Sequence, residues 1–228
     1  MNILCTICAR KGSKGLKNKN FLKISQKPLI EYTIDQALNA KIFNNISIYS
    51  DKIFSNKFKK KYKNLFFYHR PKYLSKDKVG KVDVIKNLLI KSEFYFKKNY
   101  DLIVDLDVTS PLRSTMDIKE SLKKIIRTKS NNLISVTTAK KNPYFNMIEI
   151  INGKPKLVKK NKPYLTRQEA PKTFEMNASI YIWKRKYLLK NGNIISNKTI
   201  CHYMPRERSI DIDDYFDFLQ VKNIIEKN

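Results

Sequence analysis

Two groups of residues in this chain have types and spacings that could do chemistry. The first is the stretch "ARKGSKGLKNKN", Ala9 to Asn20, directly after the apolar run "ILCTICA". Two glycines, four lysines and an arginine suit a phosphate ligand, because small residues let backbone approach and fixed cations answer a polyanion. A solvated basic loop would have the same composition. Neither G-x-x-x-x-G-K-S/T nor G-x-G-x-x-G is present, so the loop's position must carry the reading. Ligands of open α/β sheets gather at the carboxyl ends of strands, which is where this loop falls. Arg10 and Lys19 are then the candidate cations for a triphosphate, with Lys14 beside them. The second group is acidic. The chain has only 20 aspartates and glutamates, yet "SIDIDD" puts Asp211 and Asp213 on one face of an extended segment, with Asp214 adjacent. Like charges on one side are costly without a cation. Magnesium fits such a pair, being held by one or two carboxylates plus substrate phosphates. A helix N-cap at Asp213 or Asp214, ahead of the closing helix, explains the same residues, and spacing alone does not separate the two. Asp105 and Asp107 in "DLDV" share a strand face in the same way.

The cysteines point elsewhere. Cys5-x-x-Cys8 has the spacing of a redox or zinc motif, but both thiols lie in a run that reads as a strand. Residues three apart on a strand face opposite ways. With no second pair, and Cys201 alone beside His202, the chain offers no four-ligand zinc set. Buried structural thiols are the reading.

The elements that must position these groups alternate. "ILCTICA", "NISIYSD", "NLFFYH", "DLIVDLDV" and "NLISVTTA" read as strands. Between them run helical stripes: Leu29, Ile30, Ile34, Ala37 and Leu38 after Pro28; Val82, Ile85, Leu88 and Leu89; then Ile118, Leu122, Ile125 and Ile126. This rhythm predicts an α/β fold, a doubly wound and mostly parallel sheet with helices on both faces. It breaks over about 140–176, where "YFNMIEIINGKPKLVKK" reads as a hairpin turning at Asn152-Gly153, followed by a proline-bearing loop. "SIYIWK" resumes the strands and "YFDFLQVKNII" closes with an amphipathic helix. No repeat or flexible linker divides the chain, which reads as a single domain over 1–228.

Composition narrows the classes. At 42% hydrophobic and 11% aromatic the chain is a folded globule, not a disordered tail. No apolar run is long enough for a bilayer, and the first one lacks a basic region ahead of it, so the expected compartment is the cytoplasm. The net charge of +27 raises nucleic acid or an anionic membrane as partners. The lysines are spread through every segment and form no stripe, and no base-stacking motif or reader helix is present. Residue usage plus one true anion site accounts for the charge, with no specific nucleic-acid or membrane partner expected.

Seven landmarks in series then carry a resemblance. "ARKGSKGLKNKN", "KPLIEYTI", "RPKYL", "TSPLRSTMDI", "TRQEAP", "MNASIYI" and "SIDID" follow the order and spacing of the acylneuraminate cytidylyltransferases, the CMP-sialic acid synthetases and their relatives. The chain resembles that family over nearly its whole length. The resemblance implies the nucleotide-diphospho-sugar transferase fold, with the 140–176 insertion serving dimerisation. It also implies transfer of CMP from CTP to an acidic nine-carbon sugar, releasing pyrophosphate, with magnesium as cofactor. On that basis Arg10 and Lys19 match the triphosphate pair, and Ala9, Ser13 and Asn20 line the nucleotide loop. Arg70 and Lys81 lie beside the nucleotide. Asp211 and Asp213 match the metal carboxylates, and with Arg10 and Lys19 form the catalytic set. Arg167, Gln168 and Asn177 match positions that meet the sugar. The basic loop then reads as a CTP cradle, with Lys17 a solvated cation beside it.

The departures are informative too. Lys11 replaces a glycine of the common A-R-G-G-S-K-G loop, so its side chain should point to solvent. Asp107 stands where a sugar-contacting glutamine is expected, and Lys81 where a small hydroxyl residue is usual. A carboxylate only accepts hydrogen bonds, whereas a glutamine also donates, so the exchange should alter which sugar groups are tolerated. "LDVTSPLR" and "KKNPYFN" resemble the legionaminic acid branch. An N-acetylneuraminate enzyme is the alternative. A Kdo enzyme is disfavoured, because that branch reads Q-G-D-E-P-L where this chain has "DVTSPL".

Overall fold

The computed structural model describes residues 1–12, 15–76, 78–160 and 164–227. Ser13 and Lys14 of the basic loop therefore lie outside the described residues. The opening apolar run is β1 (Ile3–Ala9). Its alternation puts Cys5 into the larger hydrophobic cluster and Cys8 against the smaller ones on the other face. Both thiols are free, and burial raises their pKa well above the ordinary value. They are packing residues, as strand geometry requires.

A two-residue ladder, β2 (Lys23–Ile24) with β3 (Lys27–Pro28), leads into α1 (Leu29–Ala40). Then come β4 (Asn45–Ser50), α2 (Asn56–Lys61), β5 (Phe66–His69), α3 (Lys81–Phe96), β6 (Leu102–Leu106), α4 (Thr115–Ile126) and β7 (Asn132–Thr138). After β8 (Ile148–Ile151) and β9 (Lys154–Leu157) the chain returns through β10 (Phe174–Lys184), α5 (Arg185–Lys190), β11 (Thr199–Tyr203) and α6 (Tyr215–Lys227). Seven strands form one sheet in the order β11-β7-β10-β6-β1-β4-β5. Neighbours are parallel except at β10, which runs antiparallel to both β6 and β7. α1, α4 and α6 bury apolar faces on one side of the sheet, α3 and α5 on the other. This is the expected doubly wound, mostly parallel α/β arrangement.

Three details differ from the sequence pattern. Leu38 and Ile126 sit at the margins of their helical stripes and are exposed. β10 begins five residues before "SIYIWK", because Phe174–Met176 pair with Val136–Thr138 across a bulge that holds Ala178 at φ 52°. β11 was not legible as a strand, since as a sheet edge it is nowhere fully buried and shows no clean alternation. The hairpin of β8 and β9 is as expected. Asn152 and Gly153 both take positive φ, which a two-residue turn between twisted strands demands. All eight of its strand residues are exposed, Ile148 and Ile150 included. Among the described residues no helix is long and apolar enough to cross a membrane.

Candidate active site

At the carboxyl end of β1 the chain turns through the basic loop into a 3-10 turn at Lys19–Phe21. Ala9 closes the strand fully buried, packed in the larger hydrophobic cluster. Asn20 is buried, and its Nδ2 donates to the Arg10 carbonyl at 2.9 Å, tying the loop's two ends together. Gly15 has a packing reason: a Cβ there would stand 2.5 Å from the Asp213 carbonyl oxygen. The basic loop and the acidic segment are thus in contact through a position only glycine fits. Lys11 and Lys17 are exposed, as expected for side chains outside the cradle.

A cavity of about 570 Å³ opens beneath this loop. Arg10, Lys19, Asn20, Arg70, Lys81 and Asp107 line it, together with Asp211 and Asp213. Arg70 follows β5 and is buried, its Nε donating to the Leu74 carbonyl at 2.9 Å and burial lowering its pKa. Lys76 also faces this cavity. One lysine among so many carries no signal in the sequence. A second cavity of about 550 Å³ adjoins the first, and Asn177 and Arg206 line it. Asp211 and Asp213 belong to both cavities and form the wall between them.

The acidic segment resolves its own ambiguity. Asp214 caps α6: its Oδ1 accepts from the Asp217 N–H at 2.9 Å, while Asp217 accepts from Asp213 and Asp214 N–H groups. That leaves the side chains of Asp211 and Asp213 for the cavities. Asp213 is 77% exposed and pairs with Lys19 Nζ at 2.9 Å. Asp211 is mostly buried, and its Oδ1 has no hydrogen-bond partner among the described residues. Burial first, then the charges of Asp107 and Asp213, push its carboxyl up to about 6. A buried, unpartnered carboxylate oxygen among like charges has the chemistry of a cation site. No cluster of three or more His, Cys, Asp or Glu side chains suited to a metal occurs among the described residues. Two carboxylates, completed by phosphates and water, suit magnesium better than zinc.

A different balance holds at the end of β6. Lys81 opens α3 and bonds both Asp105 Oδ2, at 3.2 Å, and Asp107 Oδ2. Asp107 Oδ1 accepts from the Thr109 N–H and hydroxyl at 3.3 and 3.0 Å. Thr6 donates to Asp105 at 2.8 Å. Against burial, which would lower it, the two carboxylates hold the Lys81 ammonium well above its usual range. The two departures noted in the sequence, Lys81 and Asp107, are therefore one ion pair. It faces the first cavity, and Asp107 does not line the second.

Asn177 lies in the β10 bulge and is 3% exposed. Its Oδ1 accepts from Ser135 Oγ at 2.6 Å and its Nδ2 donates to Ser209 at 2.9 Å. Arg113 is equally buried, donating to Ser179, Thr33, Gln36 and the Asp107 carbonyl. Within "TSPLR" nothing local marks it as the bolt between the end of β6, β10 and α1. Arg167 and Gln168 are exposed and line neither cavity, with Arg167 donating to the Ala139 carbonyl at 2.7 Å.

Comparison with known proteins agrees with this geometry. Residues 4–212 match the family model described as cytidylyltransferase. The chain is 43% identical to post-translational flagellin modification protein B of Campylobacter coli, over 99% of its own length and 96% of that protein. It is 42% identical to CMP-N,N'-diacetyllegionaminic acid synthase of Campylobacter jejuni, over 98% of its length and 94% of that protein. A CMP:2-keto-3-deoxy-manno-octonic acid synthetase complexed with CTP shares the fold, with a TM-score of 0.68 over 100% of this chain and 99% of that one at 14% identity. A basic loop at a parallel strand's carboxyl end, two cavities divided by carboxylates and a family match over most of the sequence agree: the chain belongs to the cytidylyltransferase family, as a nucleotidyltransferase of the acylneuraminate type.

Proposed function

We propose that this protein makes a CMP-activated nonulosonic acid from CTP and the free sugar, and that the sugar is a diacetamido compound of the legionaminic acid kind. The observation that carries the reading is the pair of adjoining cavities sharing Asp211 and Asp213, one of them lined with cations. CTP occupies the cationic cavity, with Arg10 and Lys19 on its phosphates and Arg70 beside it. The sugar occupies the second. Its anomeric hydroxyl attacks the α-phosphorus: a new P–O bond forms, the bond to pyrophosphate breaks, and the hydroxyl proton leaves to solvent or a nearby base. Asp211 and Asp213 would hold the magnesium, which supplies charge neutralisation and Lewis acidity at the phosphates. Arg10 and Lys19 bind and orient the triphosphate, and fixed cations there cost no reorganisation during the reaction. Asn20 and Gly15 keep the loop seated against the acidic segment. Asn177 positions the sugar cavity's wall, and its buried amide favours that role over direct sugar contact. Asp107, held by Lys81 and Thr109, favours a part in setting the charge beside Asp211.

The second cavity also supports a dimer. Among its described lining residues stand five carboxylates and one guanidinium, Arg206. An acidic sugar needs more positive charge than that. We propose that the 140–176 insertion reaches a second copy, covers its exposed apolar hairpin there, and brings Arg167 and Gln168 to the partner's sugar. Pyrophosphate release, measured across the four nucleoside triphosphates and a panel of nonulosonic acids, tests the whole reading. Turnover should require CTP and magnesium and favour the diacetamido sugar. Release with no nonulosonic acid, or equally with every nucleotide, would sink it.

A further inference from the structure

One carboxylate outside both cavities ties the acidic segment to the rest of the molecule. Asp117 stands in the first turn of α4, its side chain 5% exposed. Its Oδ2 accepts from the Ser114 N–H and hydroxyl, each at 2.8 Å, which closes the helix's capping box. The same group receives Arg208 as a fork: Nε donates to Oδ2 and Nη2 to Oδ1, both at 2.9 Å. His202 Nε2, on β11, approaches Oδ1 at 3.7 Å. A capping box needs only its serine and its carboxylate, so the guanidinium has a separate task.

That task is set by where Arg208 stands, three residues before Asp211. The intervening Ser209 donates to the Pro205 carbonyl at 2.8 Å and accepts from Asn177. Beyond Asp211, the Ile212 N–H donates to the Thr109 carbonyl at 2.9 Å. Asp211 is thus bracketed between two anchors. The bracket opposes a real force, because Asp107 and Asp213, which line the first cavity with it, both repel the Asp211 carboxylate. A cation placed on Asp211 itself would resist that force but would compete with any metal for the same oxygen. The Arg208 fork resists it from outside, and leaves Asp211 Oδ1 without a partner among the described residues.

We infer that Arg208, through its two-pronged bond to Asp117, is a positioning residue that holds Asp211 and Asp213 in register for a divalent cation. The inference rests on reading those carboxylates as the cation site. The test uses manganese alone as the probe, its binding to the full chain followed by electron paramagnetic resonance, with thermal unfolding recorded alongside. Arg208→Gln should weaken manganese binding by roughly ten-fold, in the range of an outer-shell loss. Arg208→Lys, which keeps the charge but not the fork, should fall between that variant and the wild type, and it serves if the glutamine variant does not fold. In turnover the magnesium concentration for half-maximal rate should rise more than KM for CTP. Wild-type manganese affinity in a folded Arg208 variant, with only a lowered Tm, overturns the inference. If Asp213→Asn also binds manganese as the wild type does, or the wild type binds none, the cation reading itself fails. Loss in Asp213→Asn without loss at Arg208 sinks the positioning role alone.

Discussion

The molecule holds two aspartate pairs of the same spacing and treats them in opposite ways. Asp105 and Asp107 close β6 and share Lys81, with Thr6 and Thr109 supplying further donors. Asp211 and Asp213 precede α6, and among the described residues only the exposed member forms an ion pair, with Lys19. The other, Asp211, keeps a buried oxygen with no hydrogen-bond partner among the described residues. An i, i+2 acidic pattern therefore does not by itself announce a metal site. What separates the two is whether the chain supplies its own counter-charge. Where it does, the pair anchors structure; where it does not, the pair is open to a cation from outside.

The largest test of that contrast removes the open pair's charge. Asp213→Asn should lower kcat/KM by roughly three decades, comparable to losing a key electrostatic group, while leaving Tm almost unchanged because the side chain is exposed. Activity that survives chelation of magnesium would erase the distinction between the pairs.

Next comes the closed pair. Lys81→Ser leaves Asp105 and Asp107 buried without their cation, and should destabilise the fold by about 3 kcal/mol. Asp107→Gln alone strands Lys81 on Asp105. The double variant Lys81→Ser with Asp107→Gln should recover part of the summed loss in denaturant titrations, since it leaves only Asp105 without its cation. Strict additivity would show that the two side chains do not act as a pair. The smallest effects belong to the cradle. Arg10→Ala and Lys19→Ala should each cost about 1.5–3 kcal/mol in transition-state binding, whereas exposed Lys17→Ala should stay within about 0.5 kcal/mol. Equal losses at all three positions would mean that bulk charge, not a built cradle, binds the triphosphate.

How much of this was written in the sequence follows from the range of the interactions. Strands β1, β4, β5, β6 and β7 and the long helices were legible because buried elements need continuous or periodic apolar residues. The β10 bulge and β11 were not, because one depends on register against β7 and the other is a half-exposed edge. The site divides in the same way. Arg10, Lys19 and Asn20 lie close along the chain, and their pattern was visible. Whether Asp213 or Asp214 caps α6 depended on Asp217 and Lys19, the latter 194 residues away. The Lys81–Asp107 pair and the Arg208 fork on Asp117 span 26 and 91 residues, and no local pattern records such meetings. Lys81 and Asp107 were each noticed as departures, but only the fold shows that they answer one another.

The late strand β10, lodged between β6 and β7 and opposed to both, also fixes an order of assembly. A chain emerging from its N-terminus completes β1, β4, β5 and β6 before residues 174–184 exist, so that half of the sheet can close early. β6 meanwhile keeps one unpaired edge and β7 two, the kind that recruits other chains. The exposed hairpin of β8 and β9 is made during that interval, which lengthens it. The basic loop after β1 therefore exists while the acidic segment has yet to be synthesised. Residues 204–213 follow β10 and β11, so the wall between the two cavities is among the last features to form. Nascent chains halted before Phe174 leave β6 with one edge unpaired and β7 with both, and those halted past Tyr203 hold the partners of all three edges.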